Sequence, residues 1–270
     1  MRIYRIYILL MVTIVVLFGL SLVHGSVDIP WQDTMVVLFG GETVKESWRF
    51  IIMESRLPQA LTALLSGGAL AVSGLLLQTA FRNPLAAPDI FGVTSGASLA
   101  VALLTLAPGL VFTGLLGYVS SIAAAFVGAM SVTALIWMFG RLVRSNIVLI
   151  IIGIMIGYVA SSAITLLNFF ATEEGVKNFA VWGMGNFSNV SLNALLMGES
   201  YAENLGVNVL RVRNILLVVT GLLTAVVTAF CGPIAFLALA VPHIARLLLC
   251  TTNHRQLLPI TILAGLAIAL

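Results

Sequence analysis

Apolar positions in this chain do not alternate with polar ones. They run together in stretches long enough to cross, or nearly cross, a bilayer. The stretches are Ile6 to Val23, Leu57 to Phe81, Ile90 to Ala107, Val111 to Phe139, Ile147 to Phe170, Ile215 to Cys231 and Ile234 to Cys250. A further one begins at Leu257 and is still apolar at Leu270, so the chain is expected to stop inside a helix. Backbone polar groups in hydrocarbon must be satisfied within their own segment, which leaves helices as the natural form for such runs. The pattern predicts an all-α polytopic membrane helix bundle, one domain over residues 1–270. Pro233 and Pro242 interrupt the apolar positions from Ile215 to Cys250, which predicts two shorter helices with a break at Cys231-Gly232-Pro233. A break at membrane depth has to be covered by protein or line a cavity.

Composition agrees: 60% of the 270 residues are hydrophobic and 9% charged, against roughly 25% charged in soluble domains. Mean hydropathy is +1.13. The excess of three positive charges is too small to suggest nucleic acid as a partner, and the basic residues sit singly or in pairs between the apolar runs, where they orient a protein in lipid. Cys231 and Cys250 end apolar runs without metal-ligand spacing, so both read as packing residues. Arg2 and Arg5 precede a retained first span, because no small-x-small cleavage pattern follows near His24.

Charge also speaks to topology. With Arg2 and Arg5 inside, alternating spans put the 28–56 loop outside, Arg82, Arg141 and Arg144 inside, and the segment from Glu173 to Ser191 outside. Strict alternation then places Arg211, Arg213, Arg246 and Arg255 outside, giving five basic residues inside and eight outside. One more span between Trp182 and Arg211 moves those four inside and gives nine against four. The apolar stretch available there, Val190 to Met197, is too short to cross about 30 Å of hydrocarbon. About 20 residues are therefore expected to be missing near Ser191/Leu192.

Small residues recur at helix-face spacing in the second run (Ala63, Gly67, Ala71, Gly74) and the fifth (Gly153, Gly157, Ser161), where backbones can approach closely. No ionisable side chain lies mid-span, which argues against an ion-coupled carrier built on an intramembrane carboxylate. The chain has no GxxxxGK[ST] either, so nucleotide binding of the P-loop kind must belong to another chain. His243 finds no second ligand at helical spacing, and neither catalytic, cofactor-binding nor metal-ligating residues are assigned.

The segment from Leu196 to Arg213 stands apart as short and polar, acidic first and basic last, the order that suits a helix dipole. Ala202 is small and Gly206 can adopt positive φ, so a short helix ending in a sharp turn fits, as does a solvated loop. Arg82-Asn83-Pro84 reads as a turn ending the second span.

Several stretches together resemble the FecCD family of ABC-importer permeases, which carry ferric siderophores, haem and cobalamin. They are Arg56-Leu-Pro, the run from Gly74 to Gly96 with Gln78 and Phe81-Arg-Asn-Pro-Leu-Ala-Ala-Pro-Asp-Ile-Phe-Gly, and Trp182-Gly-Met-Gly. Further on come Gly198-Glu-Ser-Tyr-Ala-Glu-Asn-Leu-Gly-Val, Gly232-Pro-Ile-Ala-Phe, Val241-Pro-His-Ile-Ala-Arg246 and His254-Arg-Gln-Leu-Leu-Pro259. They follow family order across nearly the whole chain. Family members are ten-helix bundles with a span between the Trp-Gly-Met-Gly and Gly-Glu segments, and they continue past the position of Leu270.

The resemblance implies a permease subunit, not an enzyme, in a bacterial inner membrane. It implies a second permease copy, two cytoplasmic ATPase subunits and a periplasmic or lipid-anchored binding protein as partners, with no cofactor of its own. Gly198, Glu199, Ala202, Glu203, Leu205 and Gly206 would form the cytoplasmic coupling helix that docks on the ATPase. Glu199 and Glu203 share a helix face that either meets basic groups there or is simply solvated. Arg56 matches the family arginine that docks the binding protein, although the position three further on is Gln59; a snorkelling anchor is the alternative. Alternating access is the implied mechanism, with helices two, five and eight as candidates to face the pathway. Two other readings stay open: an ion-coupled secondary carrier, and a non-transporting membrane remnant.

Overall fold

A computed structural model of the chain describes residues 2–41, 45–106, 114–143, 145–187, 209–251 and 253–270. It is helical throughout, with no strand among the described residues. The helices are α1 (Arg2–Val23), α2 (Trp31–Leu38), α3 (Glu46–Phe50), α4 (Leu57–Phe81), α5 (Val93–Thr105) and α6 (Gly114–Leu142). They are followed by α7 (Asn146–Phe170), α8 (Glu173–Gly183), α9 (Val209–Cys231), α10 (Leu237–Leu249) and α11 (His254–Ala269).

A π-helical turn, Ile51–Arg56, joins α3 to α4, so Glu46–Phe81 is one rod of 36 residues. At 1.5 Å per residue this is about 54 Å, well beyond a hydrocarbon core of about 30 Å, and the first turns of the rod stand outside it. Pro58 explains the wider turn: it has no N–H to donate, and its ring needs room at the carbonyl four residues back.

The rod ends at Arg82, a non-glycine residue at φ 49°. Asn83 N–H donates back to Gln78 O (3.1 Å), and Asn83 Oδ1 accepts from Leu85 N–H (2.9 Å), so the predicted turn is a C-cap followed by an Asx turn. The apolar run from Ile90 to Ala107 is not one helix. Pro84 and Pro88 deny the chain helical donors and Gly92 sits at φ 74°, so regular structure starts only at Val93. Thirteen residues make about 20 Å, too little to span.

Small residues set the helix crossings, as expected where lipid supplies no hydrophobic drive between helices. α4 meets α11 through Gly67 and Gly265, and meets the start of α10 where Gly74 lies against the Ala238 carbonyl. α5 crosses α6 at Gly96 and Gly128, and α7 meets the start of α5 where Gly153 and Gly157 flank Phe91, Gly92 and Ser95. Two apolar cores result. In one, Phe81, Phe91, Ala97, Ala129, Ile136, Leu149 and Leu217 pack between α5, α6, α7 and α9. In the other, Leu75, Ala245, Leu249, Leu257 and Ile260 pack with Ile6 and Leu10 of α1. Most of the exposed side chains of α1, such as Ile8 and Val15, and of α7, such as Tyr158 and Val159, are apolar, as suits a lipid-facing surface.

The break at Cys231-Gly232-Pro233 is present, with irregular backbone from Gly232 to Phe236. α9 and α10 form a hairpin around it, and the turn is covered by α8, whose C-terminal residues rest on it. Asn186 N–H donates to Cys231 O at 2.7 Å. Gly185 and Gly232, at φ 64° and 75°, are the residues that let the two backbones touch.

Candidate functional site

Helix pairings sort the charges between two ends. Asn146 bonds the last carbonyl of α4, Arg213 bonds the last turn of α6, Arg246 bonds Gln78 near the end of α4, and Thr79 pairs with His254 at the start of α11. Arg82, Arg141, Arg213, Arg246 and Arg255 therefore lie at one end, together with the N-terminal residues of α1. Asp28, Asp33, Glu46, Glu54, Glu173 and Glu174 lie at the other. The positive-inside rule makes the basic end cytoplasmic.

At the outer end Arg56 is tied down within the chain. It is 6% exposed, and its guanidinium donates to three main-chain carbonyls at the end of α1: Leu22 (2.9 Å), Val23 (2.6 Å) and Val27. Gly25 completes the cradle; a Cβ there would come within 3.1 Å of the guanidinium. The last carbonyls of a helix have no partner within it and carry the negative end of its dipole, so a cation with five donors fits them well. Arg56, expected from the family resemblance to dock a binding protein, has its guanidinium engaged by these carbonyls, while Arg49, Glu54 and Gln59 nearby are exposed.

The residues expected to couple to an ATPase, Gly198, Glu199, Ala202, Glu203, Leu205 and Gly206, lie outside the described residues. Their flanks are described. Phe187 packs with Cys231 and Val227 near the end of α9, whereas Val209 starts that helix. With 23 residues α9 is about 34 Å long, so the two flanks sit at opposite ends of a membrane-length helix.

Two polar clusters at the inner end were not read from the sequence. In the first, Gln78, 3% exposed, accepts from Arg246 Nη1 (2.6 Å) through Oε1 and donates through Nε2 to Leu239 O (3.1 Å). Arg246 thereby ties α10 to α4. In the second, Arg213, 5% exposed, donates to Asn146 Oδ1 (3.0 Å) and Gly140 O (2.5 Å), and Asn146 Nδ2 donates to Phe81 O (3.2 Å). Arg213-Asn214 just before the apolar run from Ile215 was the available signal. Among the described residues no three His, Cys, Asp or Glu side chains converge as a metal site would need.

α4, the second predicted span, has two-thirds of its most apolar window buried within this one chain, against 17% for α7, the fifth. Its enclosure by α9, α10 and α11 fits a structural axis better than a wall of the pathway.

The order of these elements and motifs has a counterpart among known proteins: the model of the FecCD transport family matches residues 12–193 and 190–270. The chain belongs to the FecCD transport family. It is 34% identical over 248 residues to the vitamin B12 import system permease protein BtuC of Yersinia enterocolitica, covering 83% of this chain and 71% of that protein. It is 30% identical over 286 residues to the hemin transport system permease protein HmuU of Yersinia pestis, covering 97% and 84%. A solved structure assigned to the metal-chelate type of ABC transporter, in an inward-facing conformation, superimposes with a TM-score of 0.75 at 28% identity, covering 99% and 88%. This FecCD member is a multi-pass membrane permease of the ABC-transporter type, and such a permease works with ATPase and binding-protein partners.

Proposed function

We propose that this FecCD protein is the permease of an ATP-driven importer for an iron chelate, a ferric siderophore or haem, or for cobalamin. It works as a homodimer in a bacterial inner membrane, with two cytoplasmic ATPase subunits and a periplasmic or lipid-anchored binding protein. The observation that carries the reading is similarity along nearly the whole chain to permeases of B12 and hemin import systems. The polar segment from Gly198 to Gly206 is the coupling helix, entering α9 at the basic end. The outer end receives the binding protein, with Arg56 organising the surface from beneath.

The coupling assignment requires an extra span. The 21 residues from 188 to 208 have to connect opposite ends of α9, and a helix of that rise uses about 20 of them, leaving none for a cytoplasmic coupling helix. Two observations support a missing segment. The family model matches as two pieces that meet at 190–193. The alignment with the hemin permease runs over 286 positions although 97% of this chain is about 262 residues, so about 24 positions of the relative face no residue here. The intact mass of the purified protein tests this: a value above 28.7 kDa by the weight of about 20 residues is expected, and 28.7 kDa itself refutes it.

Function is tested in proteoliposomes holding the permease, its ATPase and its binding protein. Uptake of hemin, cobalamin or a ferric siderophore that requires ATP is expected; uptake driven by an ion gradient without ATP overturns the reading. Gly206→Val should abolish ATP-driven uptake while the permease still copurifies with the ATPase.

A further inference from the structure

We propose that Arg213 is the positioning residue through which the ATPase-coupling segment moves the ends of α4, α6 and α7, an inference that rests on the importer reading above. Arg213 lies four residues, about one helical turn or 6 Å, beyond Val209 where α9 starts. Any displacement delivered to the start of α9 therefore reaches Arg213 through continuous helix.

From there one guanidinium contacts two helices directly and a third through its neighbour. Nη2 donates to Gly140 O (2.5 Å) and Val143 O (3.5 Å) in the last turn of α6, and Nη1 donates to Asn146 Oδ1 (3.0 Å) in the first turn of α7. Asn146 Nδ2 passes the contact on to Phe81 O (3.2 Å), the last carbonyl of the 36-residue rod. The main-chain acceptors, on Gly140, Val143 and Phe81, lie at helix ends, where carbonyls lack partners within their own helices and are costly to leave bare near hydrocarbon. A planar fork with five donors holds two helices in a fixed geometry, which an ammonium with three donors on a flexible stem does less rigidly.

A second observation separates a moving joint from a mere rivet. Arg213 Nε and Asn214 Oδ1 are both buried and both without a hydrogen-bond partner. Buried polar groups are nearly always satisfied, and a junction with a spare donor and a spare acceptor has capacity for a second arrangement. In that arrangement the fork exchanges carbonyls as α9 shifts against α6.

The test is the ratio of substrate imported to ATP hydrolysed, measured in proteoliposomes of the complete transporter with hemin, cobalamin and a ferric siderophore offered in turn. Arg213→Gln should assemble with the ATPase and hydrolyse ATP within about twofold of wild type while importing about tenfold less per ATP, the size of effect that substitutions in coupled networks produce. Arg213→Lys, which keeps the charge but not the fork, should fall between. Where Arg213→Gln does not fold, Asn146→Ala, which leaves Arg213 in place and cuts the link to Phe81, should lower the same ratio. An unchanged ratio in these variants, including the case where import and hydrolysis fall in proportion, overturns the role of Arg213. Wild-type vesicles without ATP-dependent import of any of the three overturn the importer reading and this inference with it.

Discussion

Gly67 of α4 and Gly265 of α11 face each other so closely that each carbonyl occupies the place where the other's Cβ would stand; a Cβ on Gly265 would lie 2.5 Å from Gly67 O and 2.6 Å from Ala71 Cβ. The obstacle is backbone, so it cannot rotate away as a side chain would. Gly265→Val should destabilise the bundle by about 1–3 kcal/mol, the usual penalty of overpacking. Gly19 in α1 has nothing within 4 Å, and Gly19→Ala should leave the melting temperature unchanged or slightly raised. Thermal unfolding of both variants in one detergent decides the matter; equal melting temperatures would mean that this crossing is not close-packed.

The turn after α9 makes a parallel demand at the outer end. Gly232 has φ 75°, and a Cβ there would come 2.5 Å from the Trp182 carbonyl of α8. Gly232→Ala should cost about 1–2 kcal/mol for the left-handed backbone alone and should loosen α8 from the break. Gly183, one residue beyond Trp182, has open space around it, so Gly183→Ala is the matched control. Protease cleavage within 184–187 should quicken in the first variant only.

Asp89 lies in the connecting segment between α4 and α5. Burial pushes its carboxyl above the ordinary value near 3.8, against hydrogen bonds from the backbone N–H groups of Asp89 and Ile90 that pull it down. A raised folded pKa means that the folded protein binds this proton more tightly than the unfolded chain, so stability declines as pH rises from the ordinary value through the folded one and then levels. Asp89→Asn keeps the shape and removes the charge. It should melt higher than wild type at neutral pH, with the gap closing as pH falls toward 4; a gap that stays constant or widens in acid would contradict the assignment.

Where the chain enters and leaves lipid was legible from hydropathy, because transfer into hydrocarbon is a property of composition: α4 and α7 match their apolar runs to within a residue at each end. Where helices start inside the apolar zone was less so. Pro88 and Gly92 delay α5 by three residues from the start of its run, and the same kind of backbone event moves α10 to Leu237. The break at Gly232 was readable because Pro233 marks it. The polar clusters were not readable. Arg213 and Asn146 are 67 residues apart, and Arg246 and Gln78 are 168 apart, so only the packed bundle says which helix ends need a donor and which side chain supplies it. Motif resemblance proposes residues 198–206 as a coupling segment by their order alone, and the second stretch of the family match, 190–270, includes them.

Arg56, for which the family resemblance implies docking of the binding protein, is bound within the fold to the end of α1. A docking arginine should be exposed and should act mainly on encounter rate and orientation, with strong dependence on salt. The observed guanidinium is buried against the end of α1, and hydrogen bonds to charged groups of this kind contribute roughly 1.5–3 kcal/mol each before non-additivity is considered. Arg56→Gln should therefore lower the melting temperature, by an amount corresponding to about 2–3 kcal/mol, and free the turn at 24–30 for proteolysis. Arg56→Lys should recover part of the stability, because an ammonium can serve some of the three carbonyls. Binding-protein affinity measured on the same variants separates the roles. If Arg56 organises the outer surface from beneath, affinity falls only together with stability, and its salt dependence stays that of wild type. Reduced affinity and a flattened salt dependence at full stability would mean that the side chain turns outward to meet the partner, leaving α1 to be capped some other way.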